Sequence, residues 1–322
     1  MLIYEKIVDD IFLIRSDASF WFKCQGILIK NRNKGNILID CNCFYKKEIE
    51  TLLKDKIGAY FVSHVHLDHV YNLHYYEEFN PNIKIYCPIP ENEYLMDFNN
   101  FIKVNGTLEY GIGDEFKKFA FKELGFKEIK SVIGFRPETE FEFESIKIKS
   151  IPIPGHSPAQ SAFSIEDTYE TSKRKILFVS DIGLTEKRAW AWHGFKYSNL
   201  EIFRESIKRI EKIYLNDDYI ITSSHGPIIF EKQPDIFNKL LIGMEKTEKS
   251  ILNMLDPKNP KELKDLMFKG LIFPVTMTRP IEKGGDPILT FFENNMILHH
   301  IVDLLERGII IDKGNNQWIL NS

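Results

Sequence analysis

The sequence predicts an α/β protein built of layered strands and helices, and three observations support this. Short apolar segments that end in turns alternate, over residues 1–230, with segments whose apolar residues recur at helical spacing. Hydrophobic residues make up 43% of the 322 residues, which is enough for a sizeable core. At about Gln233 the composition changes to a mostly helical region. We therefore predict two domains, 1–232 and 233–322.

The elements of the first half can be justified in chain order. Strands at 26–30 and 36–40 flank the turn Asn33-Lys34-Gly35, which predicts a hairpin. A helix is predicted over 46–57, where the apolar residues share one face. The remaining predicted elements are strands at 59–63, 83–87, 141–153, 161–165, 175–180 and 219–223, and helices at 70–79 and 198–214.

The helix at 198–214 has the clearest periodicity. The apolar side chains at helical spacing are Leu200, Phe203, Ile207, Ile210 and Tyr214. Ser198 and Glu201 form a capping-box pattern, which predicts that Ser198 caps the helix.

Two further regions depart from this alternation. Residues 91–135 are rich in aromatic residues and Lys, and we interpret them as an insertion that forms a lid. Near the end, an amphipathic helix at 295–307 precedes strands at 308–312 and 317–320. Helices followed by a hairpin are typical of a small winged-helix domain. The apolar side of this helix favours a homodimer.

Composition excludes several classes of protein. The net charge is −4, so the chain is not globally basic like many nucleic-acid binders. No apolar run approaches the ~18 residues of a membrane span, and the N-terminus lacks the apolar stretch of a secretory signal. Four Cys are too few for a disulfide scaffold. We expect a cytoplasmic protein without membrane contact.

The chemistry is concentrated in His64-Val65-His66-Leu67-Asp68-His69, which directly follows a predicted strand. Residues two apart on an extended backbone point the same way, so His64 and His66 can share one metal. Asp68 and His69 lie where the chain turns into a helix, and they can face a second ion. Imidazole and carboxylate are common metal ligands. The alternative, a structural role, would require five of the nine His to cluster in loops by chance.

Three more candidate ligands follow later strands. His156 lies in a Pro-Gly-His turn, Asp181 ends the segment Val179-Ser180-Asp181, and His225 precedes Gly226. Each pattern is weak alone. With the first cluster they supply seven ligands, which is enough for two metals when one ligand bridges them.

This set of motifs resembles the metallo-β-lactamase superfamily, from about Ile3 to Phe230. The resemblance implies an αββα sandwich, in which Asp40 orients the loop that carries the ligands. It also implies that the first metal binds His64, His66 and His156, that the second binds Asp68, His69 and His225, and that Asp181 bridges the two. The oxygen-reducing diiron variant has Glu where this chain has His66, which argues against that chemistry. The C-terminal pattern is similar to the winged helix of one branch, which includes hydroxyacylglutathione-hydrolase-like proteins and endoribonucleases.

The resemblance implies a hydrolase with two divalent metal ions that uses a bridging hydroxide. Zn is the favoured metal, with Fe or Mn open. Asp68 is the predicted catalytic residue, because its carboxylate can orient water or pass a proton besides acting as a ligand. We expect a small acyl ester, thioester or lactone as substrate. The alternative is an endoribonuclease that cleaves phosphodiester bonds, and RNA stays open as a partner.

Two weaker features bear on this choice of substrate. Aromatic side chains that follow Asp181 form either a pocket wall or packing: Trp190, Trp192, His193, Phe195 and Tyr197. The C-terminal residues 234–322 hold 11 Lys and Arg against 12 Asp and Glu, a net charge of −1. Tight duplex binding needs several basic residues on phosphates, so this composition favours a small acyl substrate.

Overall fold

The computed structural model describes residues 1–17, 24–31, 34–42, 45–168, 174–184 and 193–321. The strands are β1 Leu2–Val8, β2 Ile11–Ser16, β3 Gly26–Ile29, β4 Asn36–Ile39, β5 Ile57–Phe61, β6 Lys84–Pro88, β7 Ile133–Phe135, β8 Glu140–Phe143, β9 Ile146–Pro152, β10 Ser161–Asp167, β11 Lys175–Phe178, β12 Tyr219–Thr222, β13 Lys261–Glu262, β14 Ile310–Asp312 and β15 Gln317–Leu320. The α-helices are α1 Lys46–Leu52, α2 Leu67–Val70, α3 Leu73–Phe79, α4 Asn92–Met96, α5 Phe98–Asn105, α6 Gly113–Lys118, α7 Leu200–Asn216, α8 Ile236–Leu252, α9 Leu263–Leu266 and α10 Pro287–Glu306.

Two sheets lie face to face and enclose a buried apolar core. The first sheet holds seven strands in the order β1-β2-β3-β4-β5-β6-β7, and the second holds five in the order β12-β11-β10-β9-β8. Neighbouring strands pair in parallel from β4 through β7, and again between β11 and β12. Alternate side chains of both sheets, such as Phe61 and Phe163, meet in one buried cluster.

Helices cover the outer face of each sheet. Side chains of α1 to α6 pack with the outer residues of the first sheet, whereas α7 and α8 pack with those of the second. The order of layers is therefore helix, sheet, sheet, helix, and the predicted αββα sandwich is confirmed.

The predicted hairpin at 26–40 is confirmed, since β3 and β4 pair antiparallel with Ile27 opposite Ile39. The predicted helix at 46–57 is too long, because α1 ends at Leu52. Ile57 instead begins β5, where it pairs with Asn36 and is buried. Helical spacing alone does not show that Ile57, the last apolar residue of the pattern, pairs with β4 in the sheet.

The cap predicted for the helix at 198–214 is wrong by one residue. The helix α7 begins at Leu200, and the side chain of Asn199 accepts a 2.9 Å hydrogen bond from the Ile202 N–H. Ser198 instead donates to the carbonyl of His156 at 3.0 Å. The hydroxyl of Ser198 thus supports a predicted ligand loop.

The region 91–135 is packed into the core of the first domain. It contains α4, α5, α6 and a π-helical turn at Phe119–Glu123. Its buried side chains join the cluster outside the first sheet: Phe98, Phe101, Ile102, Phe116, Ala120, Phe126 and Ile129. The part that it plays at the substrate, as a lid, stays a prediction.

The C-terminal unit, residues 233–321, contains α8, α9 and α10, of which α8 also packs on the second sheet. A small antiparallel sheet with strand order β13-β15-β14 completes it, and the predicted terminal hairpin is present as β14 and β15. The helix predicted at 295–307 begins earlier, at Pro287, with Asp286 as its cap. The assignment of this unit as a winged helix stays a prediction.

Across the described ranges, every helix is too short or too polar to cross a membrane.

A group of charged side chains joins the C-terminal unit to the sandwich. Arg204 of α7 contacts Asp303 of α10, with 2.6 Å between Nη1 and Oδ1, and it also pairs with Glu248 of α8. Arg307 lies 3.0 Å from the second oxygen of Glu248. Because the two carboxylates are largely buried, loss of either arginine would leave a buried negative charge without one of its partners.

Candidate metal centre

The seven predicted ligand residues come together at one edge of the sandwich. Each lies just beyond the end of a strand: the first cluster follows β5, His156 follows β9, Asp181 follows β11 and His225 follows β12. These loops belong to both sheets, so the packing of the sheets brings the residues together. They form two groups, and in each group one potential ligand atom from every residue lies within 4.8 Å of those of the others.

The first group consists of His64, His66, His156 and Asp181. The Nε2 atoms of His64 and His156 are 3.1 Å apart. The Oδ2 atom of Asp181 lies 3.3 Å from the Nε2 of His156 and 3.8 Å from that of His64. All three histidines are buried.

The second group consists of Asp68, His69, His225 and the same Asp181. The Oδ1 atom of Asp181 lies 3.0 Å from the Nε2 of His69 and 3.4 Å from that of His225. The Oδ2 of Asp68 lies 3.2 Å from the Nε2 of His225. Asp181 therefore turns one oxygen to each group, which is the arrangement of a bridging ligand.

The donor atoms fit a divalent cation. His69 Nδ1 donates to the carboxylate of Asp40 at 3.0 Å, which leaves Nε2 as the ring nitrogen that can bind a metal. That Nε2 faces Asp181 Oδ1, and neither buried atom has a hydrogen-bond partner among the described residues. A cation between the two atoms would supply the positive charge that Asp181 Oδ1 needs there, as would a proton on Nε2. The group can therefore hold a metal ion, and the role of the seven residues as ligands stays a prediction.

The two groups differ in their charge state. Burial lowers the pKa of His64 and His66 well below the ordinary value, so both imidazoles are neutral and ready to bind a metal. Burial would also lower the pKa of His225, but the carboxylates of Asp181 and Asp68 outweigh it and raise this pKa to about 10. Burial opposes the ionisation of Asp181, yet His69 and His225 hold its pKa well below its usual range. The protonated His69 and His225 thus balance the negative charge of Asp68 and Asp181. A bound cation would displace the protons from the two ligand nitrogens.

Asp40 supports the loop as the resemblance implies. Its Oδ1 accepts a 2.8 Å hydrogen bond from the Ser63 N–H, and its Oδ2 accepts one from the Ser63 hydroxyl at 2.5 Å. The same Oδ2 contacts His69. Asp40 and Ser180 both have a positive φ, at 50° and 48°. Left-handed backbone is costly for residues other than Gly, and its presence in two loops of the site is typical of functional regions.

A partner of His66 was not predicted from the sequence. The hydroxyl of Tyr197 lies 2.9 Å from His66 Nε2, although the two residues are 131 positions apart. With Nε2 engaged in this hydrogen bond, Nδ1 is the ring nitrogen left for a metal ion. Tyr197 was predicted only as part of an aromatic pocket wall, and nothing in its sequence neighbourhood signals the contact.

The rest of the aromatic set divides into two places. The ring of Phe195 lies 5.0 Å from that of His66, so Phe195 and Tyr197 flank the first group. His193 lies against His300 of α10, with 5.0 Å between ring centroids. Trp190 and Trp192 lie outside the described residues.

Replacing Tyr197 by phenylalanine is expected to weaken binding at the first group. The variant leaves the buried Nε2–H of His66 without its partner, and loss of such a partner typically costs ~10–100-fold in metal affinity. Competition with a chromophoric chelator would measure the affinity. Tyr94→Phe removes a hydroxyl from the nearby helix α4 and should leave it unchanged. Equal affinities for Tyr197→Phe and the unmodified chain would contradict this role.

The two groups also differ in exposure. The histidine side chains at 64, 69 and 156 are fully buried, whereas the side chains of His225 and Asp68 are 37% and 17% exposed. Among the described residues, the centre is therefore more exposed on the side of His225 and Asp68.

Comparison with known proteins agrees with this geometry. The family model of the metallo-beta-lactamase superfamily matches residues 20–225. No curated protein sequence matches the chain. A beta-lactamase domain protein from Burkholderia ambifaria shares the fold with a TM-score of 0.71 and 14% identity, over 99% of this chain and 95% of that chain.

Two other solved structures show how far the likeness extends. A metallo-beta-lactamase family protein from Thermus thermophilus has a TM-score of 0.69 and 16% identity, over 98% of this chain and 100% of that chain. BJP-1, a subclass B3 metallo-beta-lactamase of Bradyrhizobium japonicum, has a TM-score of 0.53 and 14% identity, over 78% of this chain and 94% of that chain. At these identities the likeness concerns the fold alone. The likeness to the first two structures includes the C-terminal unit.

The matched residues 20–225 are more than half of the chain and include all seven predicted ligand residues. The chain therefore belongs to the metallo-beta-lactamase superfamily, whose members are metallohydrolases.

Proposed function

We propose that this metallohydrolase holds two divalent cations, Zn by preference, and cleaves a small acyl ester, thioester or lactone. The observation that carries the proposal is the pair of ligand groups that share Asp181 beside an aromatic wall. His64, His66 and His156 would hold one cation, and Asp68, His69 and His225 the other. A bound divalent cation lowers the pKa of water from ~15.7 to ~7 and polarises a carbonyl oxygen.

Asp68 is the residue that we propose to handle protons. Burial opposes its ionisation, but His69 and His225 keep its pKa below the ordinary value, so it is a carboxylate at neutral pH. Its Oδ2 lies on the accessible side of the centre, where it can orient water and accept or pass a proton. No Ser or Cys nucleophile is needed.

The wall beside the first group favours a small apolar acyl chain over RNA. Phe195 lies against His66, and it contacts Phe101 and Phe292 with ring centroids 5.4 Å and 5.2 Å apart. Lys196, an exposed cation next to this wall, is paired with Glu109 at 2.6 Å. Among the described residues beside Phe195, a phosphate backbone would find little positive charge.

Endoribonuclease activity is the second candidate. It is favoured by the two cation groups themselves, because two metals can hold both the attacking and the leaving oxygen of a phosphodiester.

We also propose that residues 233–322 are a winged helix. The net charge of −1 over residues 234–322 suits packing or dimerisation better than nucleic-acid binding.

A paired assay tests the proposal. Zn-loaded protein is given an acyl-glutathione thioester in one arm and a short single-stranded RNA in the other. Thioester turnover that is absent in Asp181→Ala would support acyl hydrolysis. RNA cleavage that is absent in the same variant would support the second candidate. Inactivity in both arms would contradict both proposed substrate classes.

A further inference from the structure

A buried carboxylate outside the predicted ligand set contacts the loop that carries His64 and His66. Glu91 follows β6 at the start of the region 91–135 and is 1% exposed. Its Oε2 accepts a 2.6 Å hydrogen bond from the backbone N–H of Val65, the residue between the two histidines.

The other oxygen of Glu91 contacts the loop of His156. Its Oε1 accepts a 2.6 Å hydrogen bond from the hydroxyl of Ser157 and a 2.8 Å bond from the N–H of Ala159. The loop of His156 leaves β9, in the second sheet, whereas the loop of Val65 leaves β5, in the first. One carboxylate therefore joins the two sheets at the edge where the ligand groups lie.

The second ligand group has different supports. The backbone carbonyl of Asp68 accepts a 2.6 Å hydrogen bond from Asn42 Nδ2, and His69 contacts Asp40. The three hydrogen bonds described for Glu91 all reach loops of the first group. A change at Glu91 should therefore act on one group and spare the other.

We propose that Glu91 is a positioning residue for the first metal. By fastening the His64–His66 loop to the His156 loop, it keeps three imidazole nitrogens at distances that a single cation can share. The three hydrogen bonds, of 2.6–2.8 Å, place donors from both loops on the same carboxyl group. The inference rests on the metal binding proposed above.

The test is Glu91→Gln, which keeps the size of the side chain but offers only one acceptor oxygen. Its amide NH2 must face the donors of one of the two loops, so that loop loses its attachment. Zn affinity is measured by competition with a chelator. We expect two ions in the unmodified chain, and in the variant one ion bound ~10–100-fold more weakly and the other unchanged.

Two backgrounds identify the affected ion. His225→Ala removes a ligand of the second group, so the ion that remains reports on the first group, and Glu91→Gln should weaken it. His156→Ala removes a ligand of the first group, and there Glu91→Gln should leave the remaining ion unchanged.

Glu293→Gln is the matched control. Glu293 lies on α10 with 0% exposure and accepts a 3.3 Å hydrogen bond from the Phe268 N–H, so this variant reports the general cost of replacing a buried carboxylate. Wild-type binding of both ions by Glu91→Gln would overturn the inference, as would equal weakening of both ions. If the unmodified chain bound no Zn, the proposed function would fail first, and the role of Glu91 with it.

Discussion

Replacing Asp181 by alanine is expected to abolish metal binding at both ligand groups and hydrolysis with it. Its Oδ2 faces His156 and its Oδ1 faces His69, so one substitution removes the ligand that the two described groups have in common. The loss should exceed the ~10–100-fold that removal of an outer-shell partner costs. Metal content after dialysis and turnover of the acyl-glutathione thioester would measure it.

The control for this variant is Asp217→Ala. Asp217 is an exposed aspartate between α7 and β12, at the end of the second sheet away from the ligand loops, where it pairs with Lys175. It should retain both ions and full activity. Full turnover by Asp181→Ala would show that the shared-ligand assignment is wrong.

Replacing Gly155 by alanine is expected to cause a large loss of stability together with displacement of His156. Gly155 has a φ of +119°, and an added Cβ would lie 2.4 Å from the backbone N of Phe203 and 2.5 Å from its Cα. The backbone strain costs ~1–3 kcal/mol and the overpacking against α7 another ~1–3 kcal/mol. The free energy of unfolding should therefore fall by about 2–6 kcal/mol, measured from the urea midpoint at constant slope.

Gly125→Ala separates the two contributions. Gly125 also has a positive φ, +74°, but no atom lies within 4 Å of an added Cβ. This variant should lose only about 1–2 kcal/mol, the usual cost of left-handed backbone in a residue other than Gly. Equal losses in the two variants would show that the contact between Gly155 and Phe203 is not responsible.

The sequence was sufficient to predict those features of the fold and site that depend on residue type and local spacing. The His64–His69 cluster and the isolated His156, Asp181 and His225 were all found as candidate ligands, because each follows a strand that is apolar enough to recognise. The layered α/β class followed from the same alternation, and the αββα sandwich followed from the family resemblance. The predicted helix ends were wrong where a contact with another segment of the chain sets the boundary. Helix α1 ends at Leu52 because β4 recruits Ile57 into the sheet, and Asn199 rather than Ser198 caps α7.

The residues that hydrogen-bond to the ligand loops, Tyr197 and Glu91, could not be predicted from the sequence. Tyr197 lies 131 residues from His66, and Glu91 lies 26 residues from Val65 and 66 from Ser157. A tyrosine in an aromatic segment and a glutamate after a proline have no spacing that distinguishes them from ordinary core or surface residues. Their partners become evident only when the two sheets are packed.

The sequence by itself determined the chemical nature of the donors and their order along the chain, because imidazole and carboxylate are properties of residue type, and short spacings are properties of a strand end. The tertiary structure alone decided which oxygen of Asp181 faces which group, which nitrogen of His66 is engaged by Tyr197, and which loops Glu91 fastens. These features are distances of 2.6–3.4 Å between segments that are separate in the sequence, and such distances are set by tertiary packing rather than by any local pattern.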